Sequence, residues 1–225
     1  MRLVVLADVH SNLHALRTVL EDIEAKGADW IICAGDIVGY GAFPNECCEI
    51  VSKSTRAAVC GNHDLSALSE DIELMNPYAA AAVLWTSRRL RDSSRSFLSS
   101  LRPGWSAELS DRKVVMFHGS PEDVNEYVYE ENLDKSILER QNANMVILGH
   151  THVPFVARLG SGVVINPGSV GQPRDGDPRA SYAVIELPSL AAQIIRKEYD
   201  IDSAAKAIEE QGLPEILSRR LYVGR

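Results

Sequence analysis

Apolar residues in the first sixty positions come in short runs, and each run stops at a polar residue or a glycine. Residues 3–7, 30–34 and 57–60 are runs of this kind, ending at Asp8, Gly35-Asp36 and Gly61-Asn62-His63-Asp64. Between them the spacing changes. Leu13, Leu16, Val19, Leu20 and Ile23 recur at the interval of one helical face, with Ser11 or Asn12 as N-cap and Gly27 as terminator. Pro44 opens a second helix through Lys53, in the first-turn position where a missing N–H costs nothing. Strand, polar loop, helix, repeated in this way, predicts parallel strands with functional loops at their carboxyl ends.

The rhythm breaks over 65–103. Residues 79–91 are alanine-rich and predict a helix, and 94–101 predict another before Pro103-Gly104. Arg88, Arg89, Arg91 and Arg95 make a basic run, read as a solvated helix face or as a substrate-facing edge. Strand signals then return at 113–117, ending at His118. A capped helix is expected near 133–141, before a strand at 145–148 that ends at Gly149-His150. Residues 153–158, 163–165, 181–187 and 191–199 read as antiparallel strands joined by glycine or proline turns. From 201 a helix, a Gly212-Leu213-Pro214 break and a second short helix close the chain. With no repeat, low-complexity tract or linker, one α/β domain over 1–225 is the simplest expectation, carrying a helical insert (65–103) and a C-terminal helical tail (201–225).

Composition adds limits. The chain of 225 residues is 45% hydrophobic and 24% charged, ordinary for a soluble globular protein. A net charge of −8 argues against broad binding to duplex nucleic acid or anionic membrane. A small phosphorylated substrate stays compatible, because bound dications reverse the local field. Cys33, Cys47, Cys48 and Cys60 show no CxxC spacing and read as reduced, packed thiols. No run approaches the roughly 20 apolar residues that span a bilayer. A leader cleaved after the first apolar run would take Asp8 with it, so a cytoplasmic location is expected.

The candidate chemistry lies where the strands end. Asp8-Val9-His10, Gly35-Asp36, Gly61-Asn62-His63-Asp64, His118-Gly119 and Gly149-His150-Thr151-His152 hold five of the six histidines, leaving only His14 outside. Strand ends give rigid placement, and glycine lets backbone come close to an ion. Asp8 and His10 are two apart, as are His150 and His152, so each pair projects to one side of an extended segment. A carboxylate such as Asp36 has enough lone pairs to bridge two cations. Imidazole with carboxylate and amide oxygen suits Mn, Fe, Zn, Co or Ni better than Ca. Any one motif alone is weak; their joint occurrence, in order and at strand ends, points to two metal ions.

Taken together, Asp8-Val9-His10-Ser11-Asn12, Gly35-Asp36-Ile37-Val38-Gly39-Tyr40-Gly41, Gly61-Asn62-His63-Asp64, His118-Gly119-Ser120-Pro121 and Gly149-His150-Thr151-His152 resemble the calcineurin-like metallophosphoesterase superfamily. The run 166–176, from Asn166-Pro167-Gly168 to Arg174-Asp175-Gly176, is similar to its small bacterial and archaeal branch. The resemblance extends over essentially the whole chain. It implies a four-layer α/β-β/α sandwich of two mixed sheets flanked by helices, with a dimetal site at strand C-terminal ends. It also implies a ligand set: Asp8, His10 and His152 on one ion, Asn62, His118 and His150 on the other, and Asp36 bridging. His63 is then the catalytic histidine and Asp64 the group that orients its ring.

The implied reaction is hydrolysis of a phosphomonoester, phosphodiester or nucleotide phosphoanhydride by a metal-bridging hydroxide, with His63 donating a proton or stabilising the transition state. Manganese is the leading candidate among the divalent ions, with Fe, Zn, Ni and Co as alternatives. A small phosphorylated substrate, with nucleotides among the candidates, is the expected partner. Arg174 is a candidate for a second phosphate, while Arg179 reads as a loop-holding ion pair. Tyr40 and Phe43 stack on a base or pack the cleft rim. Asn12 is a substrate contact or a helix cap, and Asn166 a hydrogen-bonded support. The rival reading is a non-catalytic scaffold of the same fold, as in the retromer subunit; the presence of His63 beside a full ligand set argues against it.

Overall fold

A computed structural model describes residues 1–225. In chain order, β1 (Arg2–Leu6), α1 (Leu13–Lys26), β2 (Trp30–Cys33), α2 (Pro44–Ser54) and β3 (Ala57–Ala58) form the first half of the alternation. Three helices follow: α3 (Asn62–Ser69), α4 (Pro77–Ser87) and α5 (Asp92–Ser100). Next come β4 (Gly104–Leu109), β5 (Arg112–Phe117), the single turn α6 (Ile137–Arg140) and β6 (Met145–Ile147). Then β7 (Phe155–Leu159), β8 (Gly162–Asn166), β9 (Ala180–Glu186) and β10 (Ala191–Lys197) lead to α7 (Ile201–Glu210) and α8 (Glu215–Arg219).

The strands make two mixed five-stranded sheets, ordered β10-β9-β1-β2-β3 and β4-β5-β6-β8-β7. The alternation of side chains explains why they face each other. Leu3 and Val5 of β1 pack with Ile32, Met116, Met145, Ile147, Val163 and Ile165 in the core between the sheets. Their neighbours Val4 and Leu6 point the other way, onto Leu16, Val19 and Ile23 of α1 and Cys47, Cys48 and Val51 of α2. On the second sheet Val115, Val146 and Val164 face outward, onto Ile137 and Leu138 of α6. Strands buried on both faces read as continuous apolar runs, as those at 3–7 and 145–148 do. All four cysteines are free and buried. No helix is long and apolar enough to cross a membrane.

Four local expectations are corrected. Strand β4 was not anticipated: it is an edge strand on which only Leu109 is buried, so its apolar signal is weak. The helix expected at 133–141 shrinks to α6, where Asn142 turns left-handed (φ 45°) and stops it. The segment at 163–165 is antiparallel to β7 but parallel to β6, so it closes a crossover rather than only a hairpin. The helical stretch also begins earlier than 65, because α3 starts at Asn62 itself.

Replacing Ile147, fully buried between the sheets, with alanine should lower unfolding free energy by about 2–5 kcal/mol in a denaturant titration. Leu74→Ala, at a position 83% exposed, should change it by less than about 0.5 kcal/mol. Equal effects would contradict the assignment of the inter-sheet core.

Candidate metal centre

The carboxyl ends of β1, β2, β5 and β6 lie at one edge of the paired sheets, and their loops are stitched together beyond the strands. Asp8 N–H donates to Gly35 O (3.0 Å), His10 N–H to Asp36 O (3.0 Å), Gly149 N–H to His118 O (2.7 Å) and Gly171 N–H to Asp8 O (2.9 Å). Ser169 Oγ–H adds a bond to Asp8 O at 2.7 Å. The donor atoms of Asp8, His10, Asp36 and His152 fall within 4.8 Å of one another, and so do those of Asp36, His118 and His150. Asp36 belongs to both groups. Asn62 joins the second, its Oδ1 lying 3.2 Å from His118 Nε2.

Main-chain carbonyls decide which ring nitrogens face inward. His10 Nδ1 meets Val38 O at 3.1 Å, His152 Nδ1 meets Gln172 O at 2.5 Å, and His118 Nδ1 meets Ala34 O at 2.8 Å. A carbonyl only accepts, so each of these nitrogens carries the proton, and in the neutral ring Nε2 is a bare lone pair. In His150 the roles reverse: Nε2 donates to Asn125 O at 3.0 Å, which leaves Nδ1 bare. The consequence is a crowd of acceptors. His10 Nε2 and His152 Nε2 face each other at 3.0 Å, and His118 Nε2 lies 3.3 Å from Asp36 Oδ2. Asp8 Oδ1 is buried with no hydrogen-bond partner at all. Lone pairs held this close repel one another unless cations sit among them, so the donor set fits the two ions that the sequence points to.

Electrostatics agrees for three of the four imidazoles. Burial holds His10 and His152 well below the usual range and pushes His150 down to about 3, which favours the neutral, ligating form. His118 differs: burial pulls it down, but the carboxylate of Asp36 outweighs this and raises it to about 9. Burial raises the Asp8 carboxyl, opposed by His118 and reinforced by Asp36. Burial works against ionised Asp36 as well, yet His118 and His63 hold it well below the carboxylate range.

Backbone conformation at the site is unusual. Asp8, His10, Asp36, His150 and His152 have φ between 48° and 66°, the left-handed region that non-glycine residues seldom adopt. A Cβ on Gly61 would lie 2.0 Å from Asp36 Oδ1, so only glycine leaves room for the shared carboxylate. Asn166 Nδ2 donates to Gly149 O (2.7 Å) and Thr151 Oγ1 (3.0 Å), bracing the loop that carries His150 and His152.

His63 stands apart from the ligands. Its ring lies 4.8 Å from the His10 ring and 4.5 Å from that of Tyr40, centroid to centroid. No carbonyl holds it: Nδ1 is buried against Gly39 without a partner. Burial brings its pKa down to about 4, against the pull of Asp36. The orienting role expected of Asp64 is corrected here. Its Oδ1 accepts from Ile37 N–H (2.9 Å) and Val38 N–H (3.0 Å), and its Oδ2 from Gly61 N–H (3.0 Å). The carboxylate ties the Asp36 loop to the start of α3 and makes no hydrogen bond to His63.

Two substrate candidates take the other role the sequence leaves open for each, a helix cap for Asn12 and packing for Tyr40. Asn12 caps α1 through Ala15 N–H (3.1 Å) and donates to Gly171 O (2.9 Å), so both ends of its amide are used. Tyr40 is only 4% exposed, its ring against those of His10 and His63. Its hydroxyl accepts from Arg174 Nη2 at 3.2 Å. His14 packs edge-on against Phe43, and Arg179 pairs with Asp177 at 2.6 Å; neither joins the donor groups. In the basic run, Arg88, Arg89 and Arg91 are exposed, with Arg89 over Trp85 and Arg91 near Glu46. Sequence reasoning missed Asn125, which fixes the His150 tautomer, and Tyr127, whose ring lies 4.1 Å from that of His150. Both belong to an irregular stretch with no periodic signal.

Gly61→Ala should displace the shared carboxylate and reduce metal content from two ions per chain to one or none, measured by elemental analysis after reconstitution with manganese. The circular dichroism spectrum should be unchanged. Full retention of two ions would contradict the crowding of Asp36 against Gly61.

The comparisons with known proteins converge on one family. Residues 1–189 match the model of the calcineurin-like phosphoesterase superfamily domain. An uncharacterized protein of Methanocaldococcus jannaschii is 38% identical over 99% of this chain and 98% of its own length. The phosphodiesterase YfcE of Escherichia coli is 25% identical over 83% of this chain and 88% of its own. Among solved structures, a metallophosphoesterase from Sphaerobacter thermophilus, 37% identical, has a TM-score of 0.85, covering 100% of this chain and 99% of that one. With most of its length matched by that model, the chain belongs to the calcineurin-like phosphoesterase superfamily.

Proposed function

We propose that this protein is a dimetal-dependent phosphoesterase, acting on phosphodiester, phosphomonoester or nucleotide phosphoanhydride bonds of small substrates, with 1–225 as one catalytic unit. The observation that carries the reading is the pair of donor groups sharing Asp36, with one unliganded imidazole, His63, beside them. Asp8, His10 and His152 would hold one divalent ion, Asn62, His118 and His150 the other, with Asp36 between. Manganese is favoured among ions that accept this nitrogen and oxygen set. When bound, the ions supply Lewis acidity and a deprotonated water at neutral pH.

The remaining work falls to the chain. The Val38, Ala34, Gln172 and Asn125 carbonyls keep the four ligating rings in the tautomers that present lone pairs inward. His63, with no carboxylate partner and buried in the site, rests as a neutral ring with a single N–H to offer. That N–H stabilises charge developing on the phosphoryl or leaving oxygen. It becomes a full proton donor when a bound phosphate anion raises its basicity.

Manganese-reconstituted protein should release p-nitrophenol from bis-p-nitrophenyl phosphate or p-nitrophenyl phosphate, and a chelator should stop it. His63→Ala should retain two ions per chain while the rate falls by about 10²–10⁴-fold. No turnover of either ester at verified metal loading would favour the non-catalytic platform instead.

A further inference from the structure

The ring of Tyr40 joins the metal centre to the C-terminal tail. On one side it touches His10 and His63; around it lie two guanidinium groups, Arg174 with its carbon 5.6 Å from the ring centroid and Arg220 at 5.8 Å. Arg174 comes from the loop between β8 and β9. Arg220 follows α8, in the tail beyond the residues 1–189 that match the family model.

Neither guanidinium pairs with a carboxylate side chain, although both are partly buried beside the metal centre. Arg174 Nη2 has only neutral acceptors, Tyr40 Oη at 3.2 Å and Gln172 Oε1 at 3.1 Å, and its Nε is buried with no partner. Arg220 gives Nε to an oxygen of Arg225, the last residue of the sequence, and its two terminal nitrogens, which face the Tyr40 ring, make no hydrogen bond within the protein. Burial, and the like charge of Arg174, both work against the charged form of Arg220. Two half-buried cations that repel each other are destabilising unless an anion enters between them. Planar guanidinium donors match the oxygens of a phosphate group.

We infer that Arg174 and Arg220 form a subsite for a second phosphate, so that the preferred substrate carries a phosphate beyond the one being cleaved. The tail thereby supplies a specificity residue to a centre otherwise built by the two sheets. This inference rests on the phosphoesterase reading for which phosphate is cleaved, but the subsite is detectable by binding alone.

The test is calorimetric titration of the manganese-loaded protein with two ligand pairs, thymidine 3′,5′-bisphosphate against thymidine 5′-monophosphate, and ADP against AMP. In the wild type the bisphosphate or diphosphate member of at least one pair should bind about tenfold tighter or more, roughly one charge-assisted contact. Arg220→Gln should collapse that ratio toward one, and Arg220→Lys, which keeps a point charge, should restore part of it. Equal affinity within both pairs, or a ratio that survives Arg220→Gln in protein with an unchanged circular dichroism spectrum, overturns the subsite. If the ratio depends on Arg220 while no ester is hydrolysed, the hydrolase reading fails and the subsite stands. Hydrolysis without any ratio overturns the subsite and leaves the hydrolase reading standing.

Discussion

Four main-chain carbonyls set the chemistry of this protein. By accepting one N–H of His10, His118, His150 and His152, they turn the other nitrogen of each ring toward the same small volume. Facing lone pairs and carboxylate oxygens at 3.0 to 3.5 Å are unstable as a set of acceptors. They become a coordination shell once positive charge is placed among them. His63 is the histidine of the cluster that no carbonyl claims, and this separates the candidate catalytic ring from the candidate ligands without reference to any relative.

Holding such a set together requires backbone that a flexible loop does not provide. Left-handed φ at five of the seven candidate ligands costs free energy at each. The hydrogen bonds running from Asp8, His10, Gly149 and Gly171 into neighbouring loops fix those conformations. They are anchored in turn by strands whose inward residues are fully buried between two sheets. Gly61 and Gly39 contribute by what they lack, since a Cβ at either would strike Asp36 or His63. Asp64 serves the same scaffold, gathering three N–H groups from two loops.

Much of this was legible in the sequence. Apolar runs ending on Asp8, Asp36, Asn62, His118 and His150 give both the strands and the candidate site, because one physical requirement, rigid delivery of a side chain from a strand end, produces both signals. The edge strand β4 carried little apolar contrast and escaped notice. The tautomer-setting carbonyls were invisible for a deeper reason: every residue has one, so sequence carries no mark of Gln172 O or Asn125 O. Adjacency of Asp64 to His63 in the chain suggests contact, but backbone N–H groups of Ile37, Val38 and Gly61 occupy its carboxylate instead. For Tyr40 and Asn12 the sequence leaves substrate contact and an internal role both open, and the cap of α1 and the packing around Tyr40 engage the two. Arg220 lay some 46 residues from Arg174 (220 − 174) with no motif to connect them; only the packing of the tail against Tyr40 does so.

The central claim is that one carboxylate, Asp36, is shared by two ions. Electron paramagnetic resonance of the protein titrated with manganese(II) reads that sharing directly. At two equivalents the account predicts an exchange-coupled spectrum from two neighbouring ions, replaced in Asp36→Asn by the six-line signal of isolated manganese. A six-line spectrum from the wild type at saturation, with a single ion per chain, would contradict it.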